Sequence, residues 1–453
     1  MRELTYWCEL AWLPPGRAVA GVLVTVTDTV ITRIGTGTAS PPPGAVRLAG
    51  LTLPGLANAH SHAFHRALRG ATQRERGTFW TWRERMYAVA GRLDPDSYLA
   101  LARAAFAEMA LAGITCVGEF HYLHHTPGGR PYDDPNVMGD VLVQAAREAG
   151  LRIALLDACY LTGGAGVPLS GVQLRFGDGD ADRWAARVED LAARHRGERD
   201  VEIGVAVHSV RAVPAGQIPV VADLSRRHAV PLHAHVSEQR AENAACEEAY
   251  GMSPVRLLET HGALGPRTTA VHATHLSPDD VALLGGSGTR VCMCPTTERD
   301  LADGIGPART LSGAGSPITL GSDSHAVVDL FEEARAVELN ERLASERRGH
   351  WAAAELLHAA TAAGHDSLGF PGAGVLVPGA WADLVSLRLD SVRTAGASPE
   401  HLAETVVFAA TAADVHSVVS GGRHVVSDGH HVLGDVGALL AGAIAATREE
   451  NAS

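Results

Sequence analysis

Cysteine is scarce in this chain, and what there is does not pair. The six residues, Cys8, Cys116, Cys159, Cys246, Cys292 and Cys294, are scattered and form no CxxC pair. A disulfide framework across 453 residues is therefore not expected, and a reducing cytoplasm is the expected setting. Long apolar runs are missing too. No stretch reaches the ~18 uninterrupted apolar residues that a spanning helix needs, and MRELTYWCELAWLPPG lacks the basic-then-apolar pattern of a secretion signal. A positive field is absent: 38 Lys and Arg against 51 Asp and Glu leave a net charge of −13. That balance argues against a general affinity for nucleic acid or anionic membrane. An anionic small molecule would have to be recognised by local arginines.

What the chain has is length, a 46% hydrophobic content and 23 histidines. The length suits one large barrel with an accessory domain. Both ends alternate in a β-like way, at 21–34 and 46–53, then at 375–387 and 415–432, with Gly and Asp-Gly turns between. They predict one small β-sandwich domain assembled from residues 1–53 and 370–453. The middle, 54–369, alternates short apolar runs with amphipathic stretches. Strands are predicted at 51–56, 114–120, 151–158, 201–207, 231–235, 269–273, 290–293 and 317–321. Helices such as 97–111, 136–148, 181–195 and 330–343 fall between them. Eight such units in one domain predict an α/β fold of the (β/α)8 TIM-barrel kind. The longest gap, from His62 to Asp96, is rich in Arg and Trp and is read as a lid-like insertion.

Polar residues gather at the predicted C-terminal strand ends, where barrel enzymes carry their chemistry. Asn58-Ala59-His60-Ser61-His62 follows strand one, and His233-Ala234-His235-Val236-Ser237-Glu238 follows strand five. His272 and His275 follow strand six, and Gly321-Ser322-Asp323-Ser324-His325 follows strand eight. Residues i and i+2 of a strand point the same way, so His60 and His62 can grip one ion. Imidazole nitrogens with one carboxylate suit zinc or a similar first-row metal. Taken singly, each piece has an ordinary explanation. An HxH arises by chance, an Asp in a Gly-Ser-Asp turn is usually a cap, and His233 packs beside a better-placed His235. Chance accounts poorly for the ordered set. Cys292 and Cys294 share one face of strand seven and are read as barrel packing. His124, His125, His430 and His431 are read as surface or supporting residues, and Trp80 and Trp82 as packing the insertion.

The order HxH, His, His, Asp on such a barrel resembles the amidohydrolase superfamily over essentially the whole chain. More narrowly, NAHSHAFHRALRG (58–70), FWTWRERMY (79–87), GEFHYLHH (118–125), VHSVRAV (207–213), HAHVSEQ (233–239), HATHL (272–276), CPTTERDLADGI (294–305) and GSDSH (321–325) resemble the N-formimino-L-glutamate deiminase family of histidine degradation. The resemblance implies one divalent metal ion, expected to be zinc, on His60, His62, His235 and Asp323. It implies acid–base roles for Glu238, His272 and Asp323. It implies contacts from His65, Arg83, Tyr122, His208 and Arg211 to a small dicarboxylate amidine. His65 departs from the family pattern, which usually has Gln there, and Arg299-Asp300 stands where a less charged pair is expected. No Lys lies at the end of strand four, so a carbamylated lysine bridging two metals is not expected. A homodimer is expected by analogy alone. Two other readings stand beside this one: a deaminase of another amidine-bearing molecule (guanine, cytosine or an adenosyl compound), and a non-catalytic barrel scaffold.

Overall fold

The computed structural model describes residues 3–73, 77 and 79–448 of the chain, with the side chains of 79 and 80 left aside. Trp80, read above as packing, therefore lies outside the side chains described. Among the described residues sixteen strands fall into two sheets of eight.

The first sheet draws on both chain ends. From the N-terminal side come β1 (Glu3–Leu13), β2 (Arg17–Thr27), β3 (Val30–Gly35) and β4 (Val46–Pro54). The barrel strands follow: β5 (Leu56–Ser61), β6 (Ile114–His121), β7 (Arg152–Cys159), β8 (Val201–Val207), β9 (Leu232–Val236), β10 (Thr268–His272), β11 (Arg290–Met293) and β12 (Ile318–Leu320). The C-terminal side then adds β13 (Leu384–Leu387), β14 (Val415–Ser420), β15 (Arg423–Ser427) and β16 (His430–His431). The terminal strands join where β13 pairs antiparallel with β4, Leu384 opposite Pro54. A bridge between Val30 and Trp381 ties β3 back to the approach to β13. Tyr6, Val22, Val24, Ile31, Leu48 and Leu384 bury a separate small core there. The last helix, Val436–Thr447, leaves this sheet and packs against the barrel helix Pro95–Leu111.

Strands β5 to β12 are parallel, in chain order, and almost all of their residues are buried. Burial on both faces is why they read as continuous apolar runs. Helices begin where the local chemistry directs: Asp94 accepts the Ser97 N–H at 2.8 Å, and Ser97 Oγ accepts the Asp94 N–H at 2.9 Å, capping Pro95–Leu111 reciprocally.

One expectation is corrected. The predicted first barrel strand, 51–56, straddles two sheets: Leu51–Pro54 belongs to β4, and the barrel strand is Leu56–Ser61, so His60 lies within it. The switch occurs at Gly55, whose N–H donates to the Asp383 carbonyl. A Cβ there would sit 2.2 Å from Thr115 Oγ1, so the crossing requires glycine. Within 375–387, only Leu384–Leu387 is a strand. Among the described residues no helix is long and apolar enough to cross a membrane.

Candidate active site

The barrel closes at the residues singled out as ligands. Asp323 N–H donates to the His60 carbonyl at 3.0 Å, and His62 N–H donates to the Asp323 carbonyl at 3.2 Å. This seam joins the end of β12 to the end of β5. Gly321 makes it possible: a Cβ there would meet His60 Cβ at 2.8 Å and Cys294 Sγ at 3.0 Å. Ser237 (φ 52°), His272 (φ 69°), Ala273 (φ 49°), Asp323 (φ 41°) and His325 (φ 58°) all adopt left-handed backbone around this centre. Such strain in non-glycine residues collects where a site fixes side chains against local preference.

Side-chain donors converge above the seam. His60 Nε2 lies 3.3 Å and His62 Nε2 3.4 Å from Asp323 Oδ1, and His235 Nε2 lies 3.1 Å from His60 Nε2. Ligands held at about 2.0–2.1 Å around a tetrahedral zinc are separated by about 3.3 Å, and these three contacts match that. Among the described residues the ligand atoms of His60, His235, His272 and Asp323 lie within 4.8 Å of one another, as do those of His62, His65 and Asp323. His62 Nδ1–H donates to the Phe120 carbonyl at 2.9 Å, and His235 Nδ1–H donates to the His208 carbonyl at 2.8 Å. Each bond turns Nε2 inward as a lone-pair donor. Burial holds His60, His62 and His235 below the usual imidazole range, in the neutral form a metal requires. Burial raises the Asp323 carboxyl, but the His60 contact and the histidine charges outweigh it and hold it at about 2. His272 belongs to the same group: its Nε2 is 3.9 Å from Asp323 Oδ2, and it can join His60, His235 and Asp323 around an ion. The chain contains no lysine at all, which removes a bridging carbamate altogether.

His272 differs electrostatically from its neighbours. Burial works against its charge, but Glu298 Oε1, 3.5 Å from Nδ1, with Glu238 and Asp323, raises its pKa well above the usual value. Glu238 faces Arg211 Nη2 at 3.7 Å.

A cavity of about 290 Å³ opens over this centre. His62, His235, Glu238, His272 and Asp323 line it, as do all five predicted substrate contacts, His65, Arg83, Tyr122, His208 and Arg211. His60 is fully buried and is not part of the lining. His65 Nε2 is hydrogen-bonded to the Tyr122 hydroxyl at 2.9 Å, and burial lowers its pKa to about 3. It can offer a hydrogen bond but no charge. Arg83, on the helix Phe79–Ala90, stands over the Tyr87 ring at 5.6 Å. Trp82 packs edge-on against His65, 5.2 Å between ring centres, and lines the cavity besides packing the insertion.

His124 and His125 are buried, which corrects their reading as surface groups and leaves the supporting role. His124 lies near Asp157, whose two oxygens accept from Arg187 at 2.8 Å. His121, His124 and Asp157 thus form a polar network occupied by an arginine, a poor place for a cation. His430 is exposed and His431 buried. Cys292 and Cys294 pack at 4.0 Å in a small buried cluster with Ala59 and Val271.

Several site residues had escaped the sequence reading. Glu119 is fully buried; its two oxygens accept from Ala63 N–H at 2.6 Å and Ser61 Oγ–H at 2.7 Å, and burial pushes its carboxyl up to about 8. Glu298 accepts the Cys294 N–H at 2.9 Å. Glu242, one helical turn beyond Glu238, accepts that residue's N–H at 3.1 Å. Both Glu119 and Glu298 lie inside motifs quoted above, so position could have flagged them. Tyr160 and Gln173 carry no sequence signal.

The chain matches the Amidohydrolase family over residues 51–425. It is 37% identical over 400 residues to the formimidoylglutamate deiminase of Pseudomonas aeruginosa, covering 84% of this chain and 86% of that one. It is 31% identical over 445 residues to the 8-oxoguanine deaminase of the same organism, covering 94% of each. The crystal structure of an amidohydrolase from Brucella melitensis superposes with a TM-score of 0.91 at 32% identity, covering 98% of this chain and 99% of that one. The fold agrees with these matches: the chain belongs to the amidohydrolase family.

Proposed function

We propose that this protein hydrolyses N-formimino-L-glutamate to N-formyl-L-glutamate and ammonia, as a formimidoylglutamate deiminase of histidine breakdown. The observation that carries the reading is one cavity with a convergent His/His/His/Asp set at its base and Arg211, Arg83 and Tyr122 around it. A single divalent ion, zinc by its donor set, would sit on His60, His62, His235 and Asp323 and lower the pKa of a water toward ~7. Asp323, held ionised, takes a proton from the attacking water. His272, raised toward its charged form, donates a hydrogen bond where negative charge develops on the substrate. Glu238 delivers a proton to the imino nitrogen. As the tetrahedral adduct collapses to the formyl carbonyl, its hydroxyl proton returns to Glu238 and the proton held by Asp323 passes to the nitrogen, which leaves as ammonia. Arg211 and Arg83 hold the carboxylates through planar two-pronged contacts, with Tyr122, His65 and His208 adding hydrogen bonds.

The rival substrate is a nucleobase. The 31% identity to an 8-oxoguanine deaminase favours it, as do Trp82, Tyr160 and Phe176 in the cavity lining. Ammonia release decides between the two. Zinc-loaded protein should act on N-formimino-L-glutamate and leave guanine and cytosine untouched, and Arg211→Met should raise KM sharply. Turnover of a base, with none of the formimino compound, would overturn the substrate assignment.

A further inference from the structure

Two residues of the same cavity, Tyr87 and Tyr160, take no part in the reaction as written. Both meet the carboxamide of Gln173. Its Nε2 lies 3.1 Å from the Tyr87 hydroxyl and 3.3 Å from the Tyr160 hydroxyl. The amide cannot be turned round, because Gln173 Oε1 accepts the Ser170 N–H at 3.3 Å and a backbone N–H can only donate. Gln173 therefore spends one N–H on each phenol oxygen.

A phenol that accepts still has its own hydrogen to place. Tyr87 and Tyr160 hold two such hydrogens. Among the described residues no hydrogen bond places these hydrogens on a protein acceptor, and both side chains line the cavity. Arg211 lines the same cavity, its Nε buried and, among the described residues, without a hydrogen-bond partner. Glu238 already faces Arg211, 3.7 Å from its Nη2. A second anionic group in the cavity therefore gains most from neutral donors that bring no competing carboxylate.

We propose that Tyr160 and Tyr87, held in donor orientation by Gln173, form with Arg211 a carboxylate subsite that selects dicarboxylates over monocarboxylates. The proposal rests on the cavity being the substrate site of the deimination above, and names the residues that read the second carboxylate.

The test uses the zinc-loaded full-length protein and Tyr160→Phe, Tyr87→Phe and Gln173→Leu. Kinetics compare N-formimino-L-glutamate with N-formimino-L-norvaline, which lacks the side-chain carboxylate. Calorimetry compares glutarate with pentanoate, which needs no turnover. The expected result is a KM for the glutamate compound raised roughly tenfold in Tyr160→Phe and Gln173→Leu, the effect of one lost hydrogen bond. The kcat should stay within about twofold and the norvaline KM should not move. Glutarate affinity should fall by the same factor with pentanoate unaffected. Equal losses for glutarate and pentanoate, or no loss in any variant, would overturn the subsite, as would a wild-type protein that binds both acids alike. Tyrosine-dependent glutarate binding without ammonia from N-formimino-L-glutamate would uphold the subsite and overturn the proposed reaction.

Discussion

Asp323 and His60 are joined twice: the Asp323 N–H donates to the His60 carbonyl at 3.0 Å, and His60 Nε2 lies 3.3 Å from Asp323 Oδ1. The backbone half of this pair closes the barrel and the side-chain half builds the proposed metal centre. The two can be separated by mutation. Asp323→Asn should keep the seam, so its melting temperature should stay within a few degrees of wild type, while ammonia release falls by at least about a thousandfold. Parallel thermal denaturation and activity assays would show this. A variant that unfolds would instead mean that the side chain, not the backbone, holds the seam.

Glu119 should govern metal retention without touching the metal. It fixes Ser61 and Ala63, the residues on either side of His62, and Ser61 Oγ in turn contacts His325 Nε2 at 2.9 Å. Glu119→Ala should weaken zinc binding about 10- to 100-fold, the usual cost of losing an outer-shell partner. Competition with a chromophoric chelator measures it directly, and a wild-type affinity in a folded variant would refute the role.

Glu298→Gln should lower kcat with little change in KM. Glu298 contacts His272 Nδ1, opposite the nitrogen that faces Asp323, and is anchored by the Cys294 N–H. A neutral amide keeps that anchor and removes the charge that favours protonated His272. A loss confined to KM would mean that Glu298 serves binding instead.

The junction between the two sheets rests on a buried ion pair. Arg152 on β7 donates to Asp383 Oδ1 at 3.0 Å, its guanidinium packed 4.4 Å from the Trp381 ring centre and 5.5 Å from that of Phe370. Arg152→Met leaves Asp383 buried without its counter-ion and should cost about 3–5 kcal/mol in urea unfolding. A loss under about 1 kcal/mol would show that water reaches the carboxylate.

Acid sensitivity should have one identifiable source in the first sheet, just before β14. Burial raises the Asp414 carboxyl, but Arg393, at 2.8 and 2.9 Å, and the Ser391 and Thr411 contacts outweigh it and hold it at about 2. The folded value lies below the unfolded one, so the contribution is present above about pH 4 and lost as pH falls toward 2. Arg393→Met should therefore narrow the stability difference between pH 6 and pH 3, read by circular dichroism melts at each pH.

Much of this was legible along the chain. The strands expected at 201–207 and 290–293 are strands to the residue, because a parallel strand buried on both faces writes itself as a largely apolar run, interrupted here by the partly buried Glu202 and Arg290. The HxH, HxxE and Asp motifs were visible as a set, since each strand end presents its ligands within two or three residues. Gly55 was not legible as a change of sheet. Its requirement comes from Thr115 and Asp383, far away in sequence. The burial of His124 and His125 was equally hidden, because it depends on Asp157 and Asp178.

By itself, then, the sequence determined the alternation of strands and helices, the order of the motifs and the residue types able to hold a cation. Those are properties of neighbours, set by side-chain period and donor chemistry within a few positions. Tertiary structure alone decided that Asp323 meets His60, that His65 is tied to Tyr122, and that Gln173 gathers Tyr87 and Tyr160. The partners stand 263, 57, 86 and 13 positions apart respectively. A hydrogen bond needs its atoms within about 3 Å, and for groups so distant along the chain only the closing of the barrel supplies that proximity.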